Sequence, residues 1–291
     1  MNCTKIHLKD AFPFLGQEGR DPVLTAYLPY DTDPIKCQNV DRPSILLCPG
    51  GGYTSVAKRE SEPVALKFLP EGYNVFQLTY SVAPHTFPTQ LREVAAVMEL
   101  IYQNAQVWHC DTEKIAIMGF SAGGHLAAHY TNAYDCDEVR AVFPESKPVN
   151  ASILCYAVSS ADPRYFHKGS FANLLGKPEP LTQEEITKFS TNLLVSEKTP
   201  PTFLWHCVED ASVPVINSIL YSQAMAKYGR PFALHIYHLG GHGMATADEQ
   251  SYRSLTPSPE AIHACRVTRE WMPTLMHWLR DIFWNDETRM R

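Results

Sequence analysis

Ile115-Ala116-Ile117-Met118-Gly119-Phe120-Ser121-Ala122-Gly123-Gly124-His125-Leu126-Ala127-Ala128 decides how the rest of the chain is read. An apolar, partly β-branched run stops at a glycine, a serine follows, and small residues open an Ala/Leu-rich helix. Gly119-Phe120-Ser121-Ala122-Gly123 fits G-x-S-x-G, the pattern of a very sharp strand-to-helix turn. In such a turn a side chain two residues before or after the serine meets neighbouring backbone, hence the two glycines. The turn lifts the Ser121 hydroxyl above the sheet, beside the positive end of the following helix.

Working outward, other short apolar runs repeat the strand part of this unit. Val23–Leu28, Ser44–Pro49, Tyr73–Tyr80, Ser152–Val158, Thr202–Cys207 and Phe232–Tyr237 read as strands, several of them apolar enough to be covered on both faces. A Pro- and Asp-rich turn region follows Leu28. Between the strands lie helical segments at 60–69, Gln90–Gln103, Val215–Tyr228 and Ala261–Phe283. Gln90–Gln103 carries Leu91, Val94, Ala95, Met98 and Ile101 at the period of an amphipathic helix. Strands alternating with helices predict an α/β fold, a mostly parallel, doubly wound sheet in one domain over 1–291. Segment 159–200 breaks the rhythm. It is polar, contains Gly169, Gly176, Pro178 and Pro180, and holds one modest helical piece around Thr182–Phe189. It reads as a small cap-like excursion over the face where strands end.

The bulk numbers exclude some functions. With 45% hydrophobic and 19% charged residues in 291, the composition is globular, and a chain of this length buries a large core without staples. A formal charge of −6 without a Lys/Arg run argues against a nucleic-acid partner. Charges sit in the first ten residues where a signal peptide has its apolar core, and no stretch is long enough to cross a membrane. The 8 cysteines are scattered, with no C-x-x-C pair. A cytoplasmic protein is expected, with no membrane partner; the oligomeric state is left open, a homodimer included.

A serine hydroxyl is a weak nucleophile and needs a base, usually histidine, held by a carboxylate. In a doubly wound sheet these groups belong in loops at the carboxyl ends of strands. Asp210 follows the strand ending at Cys207, and His242, between Gly241 and Gly243, follows the strand ending at Tyr237. Glu209 and Asp162 compete for the acid role, and His238 for the base. His235, His238 and His242 suggest a metal cluster, but strand alternation separates the first two and no carboxylate or Cys pair completes a set. His125 and His129, one helical turn apart behind Ser121, read as packed structural residues. Gly50-Gly51-Gly52, after the strand at 44–49, faces the serine turn in this topology. The amides of Gly51 and Gly52, with that of Ala122, are placed to donate to an oxyanion. Tyr53 and Trp205 are expected to touch substrate.

Taken in order, Pro49-Gly50-Gly51-Gly52-Tyr53, Gly119–Ala127, Pro200–His206, Glu209-Asp210-x-x-Val213-Pro214 and Gly240-Gly241-His242-Gly243 resemble α/β-hydrolase serine esterases. The nearest likeness is to the acetyl xylan esterase-like and feruloyl esterase-like carbohydrate esterases. Asn173-Leu174-Leu175-Gly176 and Trp278-Leu279 resemble that group too, so the likeness covers roughly residues 20–282. It implies the α/β-hydrolase fold, with Ser121 as nucleophile, His242 as general base and acid, and Asp210 orienting it. It implies an oligosaccharide or small-molecule ester as substrate, a small acyl group as leaving part, and no metal or organic cofactor. One departure stands out. The wider lipase-like pattern has His-Gly-Gly-Gly where this chain has Pro49, and proline repeats no hydrogen bond that histidine makes. The glycine loop must be fixed in another way.

Overall fold

The computed structural model describes residues 1–29, 40–251 and 256–284. Its eight strands form one sheet: β1 (Asn2–His7), β2 (Val23–Leu28), β3 (Arg42–Cys48), β4 (Asn74–Thr79), β5 (Cys110–Phe120), β6 (Ala151–Cys155), β7 (Thr202–Cys207) and β8 (Phe232–Tyr237). Their spatial order is β1-β2-β4-β3-β5-β6-β7-β8. From β4 to β8 every neighbouring pair is parallel, while β2 runs antiparallel to both β1 and β4. This is the α/β-hydrolase sheet. The turn region expected after Leu28 lies, at 30–39, outside the described residues. Among the described residues no helix is long and apolar enough to cross a membrane.

Alternation along each central strand feeds two cores. Leu46, Phe76, Ile117, Leu154 and Leu204 pack beneath the helices Thr89–Gln103, Ser121–Ala133 and Ile216–Lys227. Ile45, Leu47, Val75, Met118, Ile153, Phe203 and Trp205 pack on the other face, against Val64 and Phe68 of the helix Glu62–Phe68 and against Trp271, Leu275 and Leu279. Burying each such side chain stabilises by roughly 1.5–3 kcal/mol, so the central strands cannot slip by one residue without exposing a whole face.

Three features differ from the sequence reading. β1 is an extra edge strand, mostly exposed and held by its backbone pairing with β2 rather than by an apolar pattern. The helix expected over Ala261–Phe283 is two, Pro259–Thr268 and Trp271–Trp284. Pro273 explains the break: in a continuous helix its ring clashes with the carbonyl of Arg269, whereas the first turn of a new helix accepts it. Segment 159–200 holds two helices rather than one. Thr182 and Glu185 form a capping box on Gln183–Phe189, and the additional helix Lys168–Leu175 is capped by the His167 ring, which accepts from the Ser170 amide. Histidine is an uncommon cap, so this start carried little signal.

The turn from β5 into the helix Ser121–Ala133 is as tight as the glycines imply. A Cβ at Gly119 would lie 2.1 Å from the Gly123 carbonyl oxygen, and one at Gly123 would lie 2.2 Å from the carbonyl oxygens of Cys48 and Pro49. Gly123→Ala is therefore expected to destabilise by about 3 kcal/mol or more, lowering Tm by roughly 6 °C or more. Gly241→Ala, where nothing lies within 4 Å of the added carbon, should leave Tm unchanged in the same thermal melt.

Candidate active site

Four loops meet at the carboxyl edge of the parallel strands, those after β3, β5, β7 and β8. Ser121 begins the helix after β5 with φ 52, a left-handed backbone that is unusual for serine. Its Oγ lies 2.7 Å from His242 Nε2, in the loop after β8. On the other side of the ring, His242 Nδ1 lies 2.7 Å from Asp210 Oδ2, in the loop after β7. A carboxylate only accepts, so Nδ1 carries the proton and Nε2 is left to accept from the serine hydroxyl. The three residues named from sequence are thus brought into one relay.

Asp210 is buried. Its Oδ1 accepts from the amides of Ser212, at 2.9 Å, and Val213, at 2.8 Å. Its Oδ2 also lies 3.3 Å from Nε2 of His206, a fully buried residue on β7. That ring donates from Nε2 to the Val213 carbonyl at 2.9 Å and accepts at Nδ1 from the Ser218 hydroxyl at 2.8 Å. Burial pushes the Asp210 carboxyl up, but hydrogen bonds from His206 and His242, the charge of His242 and the Val213 amide outweigh it. The net effect holds the group well below the usual carboxylate range. His206 was not anticipated from sequence; it sits inside an apolar run, where a histidine reads as filler.

The rival acids are engaged elsewhere. Asp162 pairs with Arg164 at the surface, and Glu209 accepts from the Gly240 amide at 3.1 Å. His125 is structural as expected, linking the Tyr53 hydroxyl at 2.9 Å to the Phe189 carbonyl at 2.9 Å. His129 stacks on Phe87, ring centroids 5.6 Å apart.

The glycine loop abuts the serine turn. A Cβ on Gly50 would lie 3.0 Å from Cβ of Ser121 and 2.8 Å from the Phe120 carbonyl oxygen. Gly51 and Gly52 have φ 130 and 63, which only glycine adopts without strain. Four groups fix the loop in the absence of a histidine at position 49. The Gly50 amide donates to Glu60 Oε2 at 2.7 Å, and the Tyr80 hydroxyl to the Pro49 carbonyl at 2.7 Å. Asn173, from the segment 159–200, donates to the Gly52 carbonyl at 2.8 Å, and the Ala83 amide to the Tyr53 carbonyl at 2.8 Å. The amides of Gly51 and Gly52 donate to no acceptor among the described residues. Ala122, second residue of its helix, has no intrahelical acceptor for its amide.

Two expectations fail. Tyr53, 1% exposed, is a core residue, its hydroxyl bonded to His125 and its ring edge-on to Tyr80. Trp205 is wholly buried on β7 and stacks on Trp271, with centroids 4.8 Å apart. Neither ring has surface to offer a substrate. Proximity to a site motif does not make an aromatic residue a contact: strand alternation turns Trp205 into the core beneath the sheet.

Comparison with known proteins agrees with the fold. The chain is 32% identical to the acetyl ester-xyloside bifunctional hydrolase of Caldicellulosiruptor lactoaceticus, covering 96% of both chains with a TM-score of 0.79. It is 36% identical to endo-1,4-beta-xylanase B of Butyrivibrio fibrisolvens over 79% of its own length, and 34% identical to the acetylxylan esterase of Xylanibacter ruminicola over 71%. It spans only 36% and 42% of those two relatives. Fold and likeness together define the class, the carboxylic ester hydrolases of the α/β-hydrolase fold. Within that class the chain belongs to the BD-FAE family, which matches residues 33–225.

The depressed Asp210 carboxyl has a pH consequence. An acid whose folded pKa lies below its unfolded value, about 3.9, adds stability that is fully present above that value and lost as pH falls. In denaturant titrations between about pH 5 and 2.5, Asp210→Asn should show a shallower loss of stability than wild type, because the amide does not titrate. Equal slopes would mean that Asp210 is not held ionised.

Proposed function

We propose that the protein is a serine esterase that removes a small acyl group, most readily acetyl, from a sugar or oligosaccharide through an acyl-enzyme. The observation that carries this reading is the Ser121–His242–Asp210 relay, two contacts of 2.7 Å in series at a left-handed serine. His242 Nε2 takes the Ser121 proton as Oγ attacks the ester carbonyl, and Asp210 stabilises the imidazolium. The oxygen that gains charge is received by the amides of Gly51, Gly52 and Ala122; losing one such donor typically costs about 3–4 kcal/mol of transition-state stabilisation. His242 then protonates the departing sugar oxygen, and water repeats the sequence in reverse on the acyl-enzyme.

The sugar part of the reading is supported by the names of the relatives above, an acetylxylan esterase and an acetyl ester-xyloside bifunctional hydrolase. It is also supported by the segment 159–200, which lacks the continuous apolar surface of an acyl-chain lid. In that segment Phe171 is buried, stacked on Phe166 and edge-on to the His125 ring with centroids 5.3 Å apart, a contact that pins the segment to the body. Tyr165 and His167 are half-buried and are the residues available to a sugar. Burial lowers the His167 pKa, and the His242 charge lowers it further against the opposing pull of the Asp210 carboxylate.

Ser121→Ala should lower kcat/KM on p-nitrophenyl acetate by about ten-thousand-fold or more with Tm unchanged, and His242→Ala nearly as much. The double variant should be no worse than either single one, since the residues act as a unit. Across acetyl, butyryl and octanoyl p-nitrophenyl esters the acetyl ester should be cleaved fastest, and acetate should be released from acetylated xylo-, manno- or gluco-oligosaccharides. A preference for octanoyl would move the protein to the general carboxylesterases.

A further inference from the structure

The glycine loop raises a question that its missing histidine leaves open: what sets its distance from the base loop. Glu60 is a glutamate at 1% exposure, in the stretch that follows the glycine loop. Burying a carboxylate is expensive unless its oxygens are satisfied, and an apolar side chain would fill the space at less cost. What the two oxygens hold is therefore informative.

Oε2 accepts from the Gly50 amide at 2.7 Å. Gly50 is thereby clamped, since a Cβ there would meet Glu60 Oε2 at 2.7 Å on one side and Ser121 Cβ at 3.0 Å on the other. Oε1 accepts from the Tyr156 hydroxyl at 2.9 Å. That hydroxyl in turn accepts from the Ala245 amide, in the base loop, at 3.0 Å. The Tyr156 ring packs edge-on to His242, centroids 5.1 Å apart, and its backbone is held at φ 38. A left-handed tyrosine persists only where its surroundings over-determine it. Beside Glu60, Arg59 donates from Nε to the Gly243 carbonyl at 2.9 Å, with its guanidinium 3.7 Å from Glu60 Oε1. One carboxylate thus touches the oxyanion side of the site with one oxygen and, through Tyr156, the base side with the other.

We propose that Glu60 is a positioning residue that fixes the spacing between the glycine loop and the His242 loop, so that the amide donors and the base reach one tetrahedral intermediate together. This rests on the serine-esterase reading and assigns the loop support that histidine gives in the His-Gly-Gly-Gly pattern to a residue ten positions after Gly50. Span, not charge, is the property that matters. Glutamine keeps the span and, with its oxygen toward Gly50, the acceptor for that amide, but its NH2 faces the Tyr156 hydroxyl, which loses its own acceptor. Aspartate keeps the charge but is one methylene too short to serve both.

The test compares wild type, Glu60→Asp and Glu60→Gln on p-nitrophenyl acetate, together with inhibition by a trifluoromethyl ketone that mimics the tetrahedral intermediate. Glu60→Asp should lose about 10–100-fold in kcat/KM, mostly in kcat, with the ketone Ki rising by a similar factor and KM within about threefold. Glu60→Gln, which keeps the span and the Gly50 acceptor, should lose less than Glu60→Asp in all three. A purely structural role would lower Tm without moving the ketone Ki of the folded fraction. Wild-type values for Glu60→Asp, or a larger loss for Glu60→Gln than for Glu60→Asp, would overturn the proposal. Should Glu60→Asp fail to fold, Tyr156→Phe carries the comparison by deleting one hydroxyl: a parallel fall in kcat and ketone affinity is expected, and unchanged values overturn the proposal. Ser121→Ala, assayed alongside, separates the two claims. If it retains activity, the serine-esterase reading falls; if it is inactive while the Glu60 variants match wild type, only the positioning role falls.

Discussion

Ser121 occupies a backbone conformation that most residues avoid, at a cost of about 1–3 kcal/mol, and much of the site follows from holding it there. The surrounding structure makes the strained turn the only one that fits. Gly119 and Gly123 let the first turn of the helix close against the end of β5 and against the carbonyls that end β3. Because β3 and β5 are parallel neighbours, the same approach that exposes the serine brings the glycine loop against it. Ser121 and the amides of the glycine loop are thus set by one steric event rather than assembled separately.

The second constraint is electrostatic. Asp210 sits where a lone carboxylate would be costly, and four donors accompany it: two loop amides, His206 and His242. His206 cannot follow substrate or solvent, being fully enclosed on β7. With the Ser212 and Val213 amides it fixes the direction from which Asp210 meets His242, so that ring has one orientation and one tautomer. Pre-set dipoles of this kind need no reorganisation during reaction, the condition under which electrostatic stabilisation is largest.

Much of this was legible in the chain. Apolar runs gave the parallel strands, Thr202–Cys207 and Phe232–Tyr237 to the residue; the first is buried on both faces, whereas the second is a partly exposed edge strand that keeps the same apolar character. Glycine spacing and loop position singled out Ser121, Asp210 and His242, since left-handed turns and strand ends leave marks in sequence. Other parts leave none. β1 is held by backbone hydrogen bonds, which any residue can make. Glu60 and Tyr156 meet across 96 positions of chain, so no local pattern records their contact. His206, though four residues from Asp210, stands inside an apolar strand run that gives it no distinguishing mark. Tyr53 and Trp205 misled because large aromatic residues near a motif are as readily core as contact, and here packing on Tyr80 and Trp271 decided it.

Asn173 ties the segment 159–200 to the carbonyl of Gly52, and the Phe189 carbonyl ties the same segment to His125 and so to Tyr53. The part of the chain that varies most freely in other folds is here fastened to the loop beside the nucleophile. A change of chain on either side of that tether is therefore transmitted to the other, so the segment and the glycine loop behave as one mechanical unit.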